Sequence, residues 1–452
     1  MNLAGKNVLI IGCGKSGIGA AVFLKKQGAN PILFDAGETI KEEDIREKLP
    51  ADFEAEICLR ELTEEIKEKT QLLVVSPGVP VDTPFVEQFR EKGIPIWGEI
   101  ELAYQCEKGR VIAITGTNGK TTTTTLVGEI MKRHFEKAYV MGNIGYPYTD
   151  IVMETEENSV TVGEISSFQL ETIDTFHPVV SAILNITPDH LNRHHTMENY
   201  VAVKNAVTKN QTKQDVCVLN YENEYTRKLG ENCNAKVVYF SSARVLENGI
   251  YLDGEEIYLA EEGKHTRVMN IHEMNLVGIC NVENVMAAIA ISLAMKVPMD
   301  EILDTIHTFK AVEHRIEFVE TVNGVDYYND SKGTNPDAAI QGIKAMTKPT
   351  ILIGGGYDKG SEYDTWFDAF DGKVKLLVLI GQTREKIAEC AEQHGFKDYV
   401  FADTFEEAFQ ICVKNAVSGD AVLLSPACAS WGMFPNYEVR GKIFKDMVRA
   451  LV

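Results

Sequence analysis

A lysine and a threonine that open a helix, preceded by a glycine turn and an apolar strand, are the residues of this 452-residue chain best suited to chemistry. The stretch reads Ile112-Ala113-Ile114-Thr115-Gly116-Thr117-Asn118-Gly119-Lys120-Thr121-Thr122. Such a strand, turn and helix point backbone N–H groups at phosphate oxygens, add the Lys120 charge and offer the Thr121 hydroxyl to Mg²⁺. Ile114 stands where the common phosphate loop has its first glycine, and Gly116 follows two residues later, so an ordinary glycine-rich turn is the competing reading. A second turn, Gly12-Cys13-Gly14-Lys15-Ser16-Gly17, also follows a strand and opens a helix, with Asp35 ending the next strand where a ribose-binding acid would sit. By itself it suits NAD, any nucleotide diphosphate, or tight packing alone. Two such turns at two domain starts point to two different nucleotide-like ligands.

Two further clusters follow apolar runs. Glu164 ends the strand that begins at Val160 and could reach a metal ion there, and Asp189-His190-Leu191 comes shortly after the strand Val179 to Leu184. A lone Glu or His in a loop is more often solvated. Placement at the carboxyl end of a strand, after a phosphate loop in the same sheet, raises both, because ligands collect at those ends.

The elements that must position these residues are short apolar runs alternating with helical patterns, which predicts α/β domains with largely parallel sheets. At this length, with 44% hydrophobic residues, a single core is exceeded. Three blocks separate: residues 1–97, residues 98–311 opening with the strand Arg110 to Ile114, and residues 312–452 with strands near Thr350 to Gly354, Val374 to Ile380 and Ala421 to Leu424. Turn-rich, hairpin-like segments occupy Glu247 to Thr266. The nine cysteines are scattered singly, which suggests neither a disulfide framework nor a zinc site. A net charge of −21 argues against a nucleic-acid partner. No run approaches the roughly 20 apolar residues of a membrane span, and Met1 to Val8 lacks a signal-peptide design, so a cytoplasmic protein without membrane insertion is expected.

The strings Gly116 to Thr123, Glu164-Ile-Ser-Ser-Phe-Gln-Leu-Glu171 and Asp189-His190-Leu191 together resemble the muramoyl-peptide (Mur) ligases and their relative folylpolyglutamate synthase. The resemblance continues through Asn281 to Asn284, His314-Arg315, Asn329 to Pro336 and Leu423 to Ser430, and so spans all three blocks; the displaced glycine is that family's own form of the loop. It implies a Rossmann-like N-terminal domain for the UDP-linked substrate, a central P-loop-type ATPase domain and a Rossmann-like C-terminal domain for the amino acid. The Gly12 to Gly17 turn, Ser76 to Pro80, Gly98 to Leu102 and Ser425 to Gly441 are similar to the branch that adds D-glutamate to UDP-N-acetylmuramoyl-L-alanine during cell-wall construction. The Asp-Asn-Pro-Arg motif of the diaminopimelate- or lysine-adding branch is absent, and Cys280 stands where the family commonly has His.

The implied roles are these. Gly116, Thr117, Asn118, Gly119, Lys120, Thr121 and Thr122 hold the ATP phosphates, with Asn284, Arg315 and Asp330 as further nucleotide contacts. Thr121 and Glu164 hold one Mg²⁺; His190 and a carbamylated Lys204 hold a second. Lys15, Ser16, Asp35, Gly78 and Asn143 receive the UDP end, while Lys332, Thr334, Lys359, Ser430 and Tyr437 receive D-glutamate. Because the ATP contacts come from two domains, closure of the last domain is an expected step. The partners are small molecules and the chain is a monomer. An NAD-dependent oxidoreductase would leave the Lys120 loop idle, and a nucleotide-driven switch would leave Asp330 to Asn335 unexplained. A folate polyglutamylating ligase would leave the extra nucleotide-type first domain without a use.

Overall fold

The structure, a computed structural model, describes residues 2–452. Its first sheet contains β1 (Asn7–Ile11), β2 (Asn30–Asp35), β3 (Glu56–Leu59), β4 (Leu72–Val75) and β5 (Ile96–Trp97) in the order β3-β2-β1-β4-β5. Every pairing is parallel. Helices cover both faces of such a sheet, which is why β1 and β4 read as unbroken apolar runs rather than alternating ones.

The second sheet contains β6 (Arg110–Thr115), β7 (Ala138–Gly142), β8 (Val160–Glu164), β9 (Val180–Ile183), β10 (Val216–Asn220), β11 (Lys236–Ser241), β12 (Gly249–Asp253), β13 (Glu256–Glu261) and β14 (Lys264–Asn270). Its nine strands run in the order β14-β13-β12-β11-β10-β9-β6-β8-β7, so the hairpin-like stretch after Glu247 forms three of them. Register fixes what meets at the carboxyl edge: Ile114 of β6 pairs with Glu164 of β8 and with Ala182 of β9, and Gly142 of β7 pairs with Glu164.

The third sheet contains β15 (Glu317–Val322), β16 (Val325–Asn329), β17 (Thr350–Gly356), β18 (Val374–Gly381), β19 (Tyr399–Phe401) and β20 (Ala421–Leu424), ordered β15-β16-β20-β17-β18-β19. Only the β15–β16 pair is antiparallel. The last strand in sequence lies between β16 and β17, which opens a crevice at the carboxyl ends of those three strands, the place where such sheets bind ligands.

The chain divides into two compact units. The first runs to Tyr251 and adds Tyr258–Thr266 and Ala287–Leu303; the second comprises Leu252–Ile257, Arg267–Met286 and Asp304–Val452. All nine cysteines are free thiols. Among the described residues, no helix is long and apolar enough to cross a membrane.

Candidate functional site

In the first unit, β6 ends in a turn that needs glycine. Gly116 has φ of +150° and Gly119 has φ of +84°, where it caps the helix Lys120–His134. Asn185 holds the turn from the neighbouring strand end: its carbonyl accepts the Thr117 N–H at 2.9 Å and its Oδ1 accepts the Asn118 N–H at 2.8 Å. Thr117 Oγ1 donates to Thr187 O at 3.1 Å and lies 3.1 Å from the Tyr200 hydroxyl. Lys120 Nζ folds back on the turn and donates to the carbonyls of Gly116 and Thr117, each at 2.8 Å. Lys204, from the helix Met197–Asn205, reaches the same Gly116 carbonyl at 2.8 Å. Two lysine Nζ atoms thus converge on one oxygen. Burial holds the Lys204 ammonium well below the usual lysine range, Lys120 pushes it further down, and Asp189 opposes both.

Glu164 is 1% exposed at the end of β8. Its Oε1 accepts from Asn143 Nδ2 at 2.8 Å, while its Oε2 is buried with no hydrogen-bond partner. An unsatisfied buried carboxylate oxygen costs more than the ~1–3 kcal/mol of a neutral group, so this atom fits a cation. His190 sits half-exposed in a left-handed backbone (φ +53°), its Nε2 3.5 Å from Asp189 Oδ2 and its ring edge-on to Phe168 at 4.9 Å.

The Gly12 turn of the same unit faces the same space. Asp35 is tied into it: Oδ2 accepts the Cys13 N–H at 2.8 Å and Oδ1 accepts the Gly37 N–H at 3.0 Å. A Cβ on Gly17 would come within 1.9 Å of the Gly12 carbonyl oxygen, so the helix Lys15–Lys26 can approach only through a glycine. Lys15, Ser16, Asp35, Gly78 and Asn143 line one cleft of about 710 Å³ together with Lys120, Asp189, His190 and Lys204. The helix Glu99–Tyr104 is anchored by two buried carboxylates. Fully buried Glu101 accepts the N–H groups of Asp174, Thr175 and Phe176 at 2.8, 3.0 and 2.9 Å, and Glu99 accepts that of Tyr148 at 2.7 Å.

The crevice of the second unit is built differently. Asp330, just past β16, is buried; Ser425 Oγ donates to its Oδ2 at 2.7 Å and the Ile316 N–H to its Oδ1 at 3.3 Å. Burial pushes its carboxyl up to about 6, with Ser425 and Arg315 pulling the other way. Arg315 lies between His314 and Ile316, whose φ values of +68° and +44° strain the backbone, most of all at the β-branched isoleucine. Arg440 is buried beneath the loops: Nε donates to Ser331 Oγ at 3.0 Å and Nη2 to Ser331 O at 2.7 Å, and both terminal nitrogens reach Cys428 O at 3.3 Å. Lys332 Nζ stands 5.4 Å from the Tyr437 ring centroid and Lys359 Nζ 5.0 Å from that of Trp431, which packs edge-on against Tyr357. Ser430 is buried beside Trp431, and Thr334 donates its N–H to Lys332 O at 2.9 Å. Asn284 Nδ2 donates to Asn281 Oδ1 at 3.1 Å in the helix Ile279–Ala294.

Several contributors escaped the sequence reading. Asn185 and Tyr200 hold the phosphate turn; a strand-end Asn with Thr two residues on was the available signal for the first. Ser425 and Arg440 fix the C-terminal loops, and a lone arginine inside a helix gives no local sign of such a role. Among the expected residues, Thr117 and Asn118 commit their N–H groups to Asn185, and Thr121 and Thr122 are buried in the first helical turn. Lys204, which would read as a solvated helix lysine, is 1% exposed.

Family models match three stretches: "Mur ligase MurD-like, N-terminal domain" over residues 6–98, "Mur ligase middle domain" over 114–292, and "Mur ligase, glutamate ligase domain" over 314–428. The chain is 58% identical over 451 residues to the UDP-N-acetylmuramoylalanine--D-glutamate ligase of Lachnospira eligens, covering all of both proteins. It is 56% identical to the protein of that name from Lachnoclostridium phytofermentans, over 100% of this chain and 99% of the relative. Among solved structures, a pseudomurein peptide ligase type C from Methanothermus fervidus matches with a TM-score of 0.60 at 18% identity, covering 99% of this chain and 100% of that one. The UDP-N-acetylmuramate-alanine ligase of Thermotoga maritima matches with a TM-score of 0.60 at 19% identity, over 98% and 99% of the two chains. At those identities the structural matches show a shared fold of three α/β domains.

Proposed function

This chain belongs to the Mur ligase family, and from that premise we propose that it joins D-glutamate to UDP-N-acetylmuramoyl-L-alanine, an ATP-dependent step of peptidoglycan synthesis. The observation that carries the reading is the cleft in which a nucleotide-type turn, through Lys15, Ser16 and Asp35, faces the phosphate-loop lysine Lys120. Amide formation in water needs an activated acyl group. Phosphoryl transfer from ATP to the alanyl carboxylate gives an acyl phosphate and ADP; the D-glutamate amine then adds to its carbonyl carbon, and the tetrahedral intermediate expels phosphate. Both steps concentrate negative charge, so positioned cations and N–H donors supply most of the rate.

Lys120 leaves the Gly116 and Thr117 carbonyls for the ATP phosphates, which also receive the N–H groups of Gly119 to Thr122. Asn284, Arg315 and Asp330 complete the nucleotide contacts. Members of the family use Mg²⁺, and two ions would be held by Thr121 with Glu164 and by His190 with Lys204. Bound Mg²⁺ neutralises charge on the transferring phosphoryl group. The partnerless Glu164 Oε2 supports the first of these assignments. Lys204 serves as a carbamate: burial and the neighbouring Lys120 favour its neutral amine, which can take up CO₂ and lose a proton to become an anionic oxygen donor. Lys15, Ser16, Asp35, Gly78 and Asn143 receive the UDP end, Asp35 by shaping the turn through two backbone N–H groups. Lys332, Thr334, Lys359, Ser430 and Tyr437 receive D-glutamate, two ammonium groups suiting a dicarboxylate. The domains run over residues 1–97, 98–311 and 312–452, and the enzyme works as a cytoplasmic monomer.

The test is phosphate release from ATP and UDP-N-acetylmuramoyl-L-alanine against a panel of amino acids. D-Glutamate alone should support turnover; equal rates with L-glutamate or meso-diaminopimelate would sink the assignment. Lys204→Ala should be nearly inactive and partly rescued by acetate, and Lys204→Arg should stay inactive. Wild-type activity in the arginine variant would refute the carbamate, since arginine keeps its charge.

A further inference from the structure

His194 packs behind the cleft wall, is 3% exposed, and touches three residues that do line the cleft. Its Nε2 lies 2.9 Å from Ser167 Oγ; its ring stacks on Phe168 with centroids 5.6 Å apart and leans on Tyr200 at 5.2 Å. The two ring contacts lead on to site residues. Phe168 carries the edge of His190 at 4.9 Å. Tyr200 lies 3.1 Å from Thr117 Oγ1 of the phosphate turn, and Lys204 Nζ sits 4.7 Å from its ring centroid. On the far side, His194 Nδ1 lies 3.4 Å from Glu171 Oε1, and Arg193 donates to that carboxylate through Nη2 at 2.6 Å. Ser167 and Phe168 belong to the helix Ser167–Leu170, His194 to Leu191–His194 and Tyr200 to Met197–Asn205, so one ring joins three separate helices.

We propose that His194 is a positioning residue for the ligation: from behind the wall it fixes Ser167, Phe168 and Tyr200 together, and through them sets His190, Lys204 and Thr117. A phenylalanine would fill the same space, but it would leave the Ser167 hydroxyl without this partner. Burial above all, with cationic Arg193 next to it, lowers the imidazole to about 4 even though Glu171 Oε1 lies 3.4 Å from Nδ1. The side chain therefore supplies shape and a hydrogen bond, and no proton. The inference rests on the cleft being the ligation site.

The experiment compares His194→Ala, His194→Phe and His194→Gln in the full chain. Steady-state phosphate release, thermal melting and the His190 imidazole resonance of the unliganded protein are measured at one pH. Loss of an outer partner of a site residue costs roughly 10–100-fold in activity. In His194→Ala, kcat per folded molecule should fall by that factor while KM for D-glutamate stays within about threefold. The His190 resonance, displaced by the Phe168 ring in the wild type, should move toward that of free histidine. His194→Phe should lose part of kcat, and His194→Gln, which can still hydrogen-bond Ser167, should recover most of it. Unchanged kcat in folded His194→Ala and His194→Phe overturns the proposal. So does a fall in melting temperature alone, with kcat and the His190 resonance unmoved. If the wild-type chain releases no phosphate on the panel above, the ligase reading fails, and the His190 resonance alone decides whether His194 positions that ring.

Discussion

Cations are held in two ways in this molecule. In the first unit, Lys120 is pinned by two backbone carbonyls, which have direction; in the second, Lys332 and Lys359 rest on aromatic faces, which tolerate sliding. A hydrogen bond to a charged group contributes about 1.5–3 kcal/mol, against about 0.5–1 kcal/mol for an exposed cation over a ring. The difference suits the tasks we propose for each region. Phosphoryl transfer needs charge at a fixed point, whereas a flexible dicarboxylate needs charge that can follow it.

The largest effect expected from breaking this contrast is at Lys120. Lys120→Ala should lower kcat by about 10²–10³, the scale for one charge-stabilising donor, while calorimetry still finds the UDP-linked substrate bound. Near-normal turnover would remove the phosphate-loop assignment. A smaller effect is expected at Trp431: Trp431→Ala should raise KM for D-glutamate about two- to fivefold, as loss of a cation–π contact implies, with kcat little changed and Trp431→Phe close to wild type. A kcat loss as large as that of Lys120→Ala would show that the two regions do not differ in this way.

The smallest effect concerns pH and stability at Asp330. Its carboxyl is raised to about 6 in the fold from an ordinary value of 3.8. Between those values the folded chain binds more protons here than the unfolded chain, so this group's contribution to stability falls as pH rises from about 4 to 6. Asp330→Asn should remove that slope, and its melting temperature relative to wild type should be more favourable at pH 7 than at pH 4. A relative melting temperature independent of pH would place the titrating group elsewhere.

Much of this was legible in the residues because backbone geometry leaves a sequence trace. Gly116, Gly119 and Gly12 mark positive φ, and the apolar runs of β1, β4 and β20 mark strands covered on both faces. What stayed hidden depends on side chains meeting across the sequence. Asn185 reaches Asn118 over 67 positions, and Arg440 reaches Ser331 over 109. The burial of Lys204 could not be read either, since its helix Met197–Asn205 carries no clear apolar stripe and tertiary packing alone decides which face is covered.

Glu101 has a consequence for synthesis of the chain on the ribosome. Its carboxylate is fully buried, and the N–H groups it accepts lie as far as 75 residues later in sequence, at Phe176. Until those residues emerge, docking the helix Glu99–Tyr104 would bury a charge without its donors, which is strongly unfavourable. At about 5–20 residues per second, the wait is roughly 4–15 s. The N-terminal sheet can assemble in that interval, but the helix that follows it must stay undocked and open to chaperones until the central sheet has begun to form.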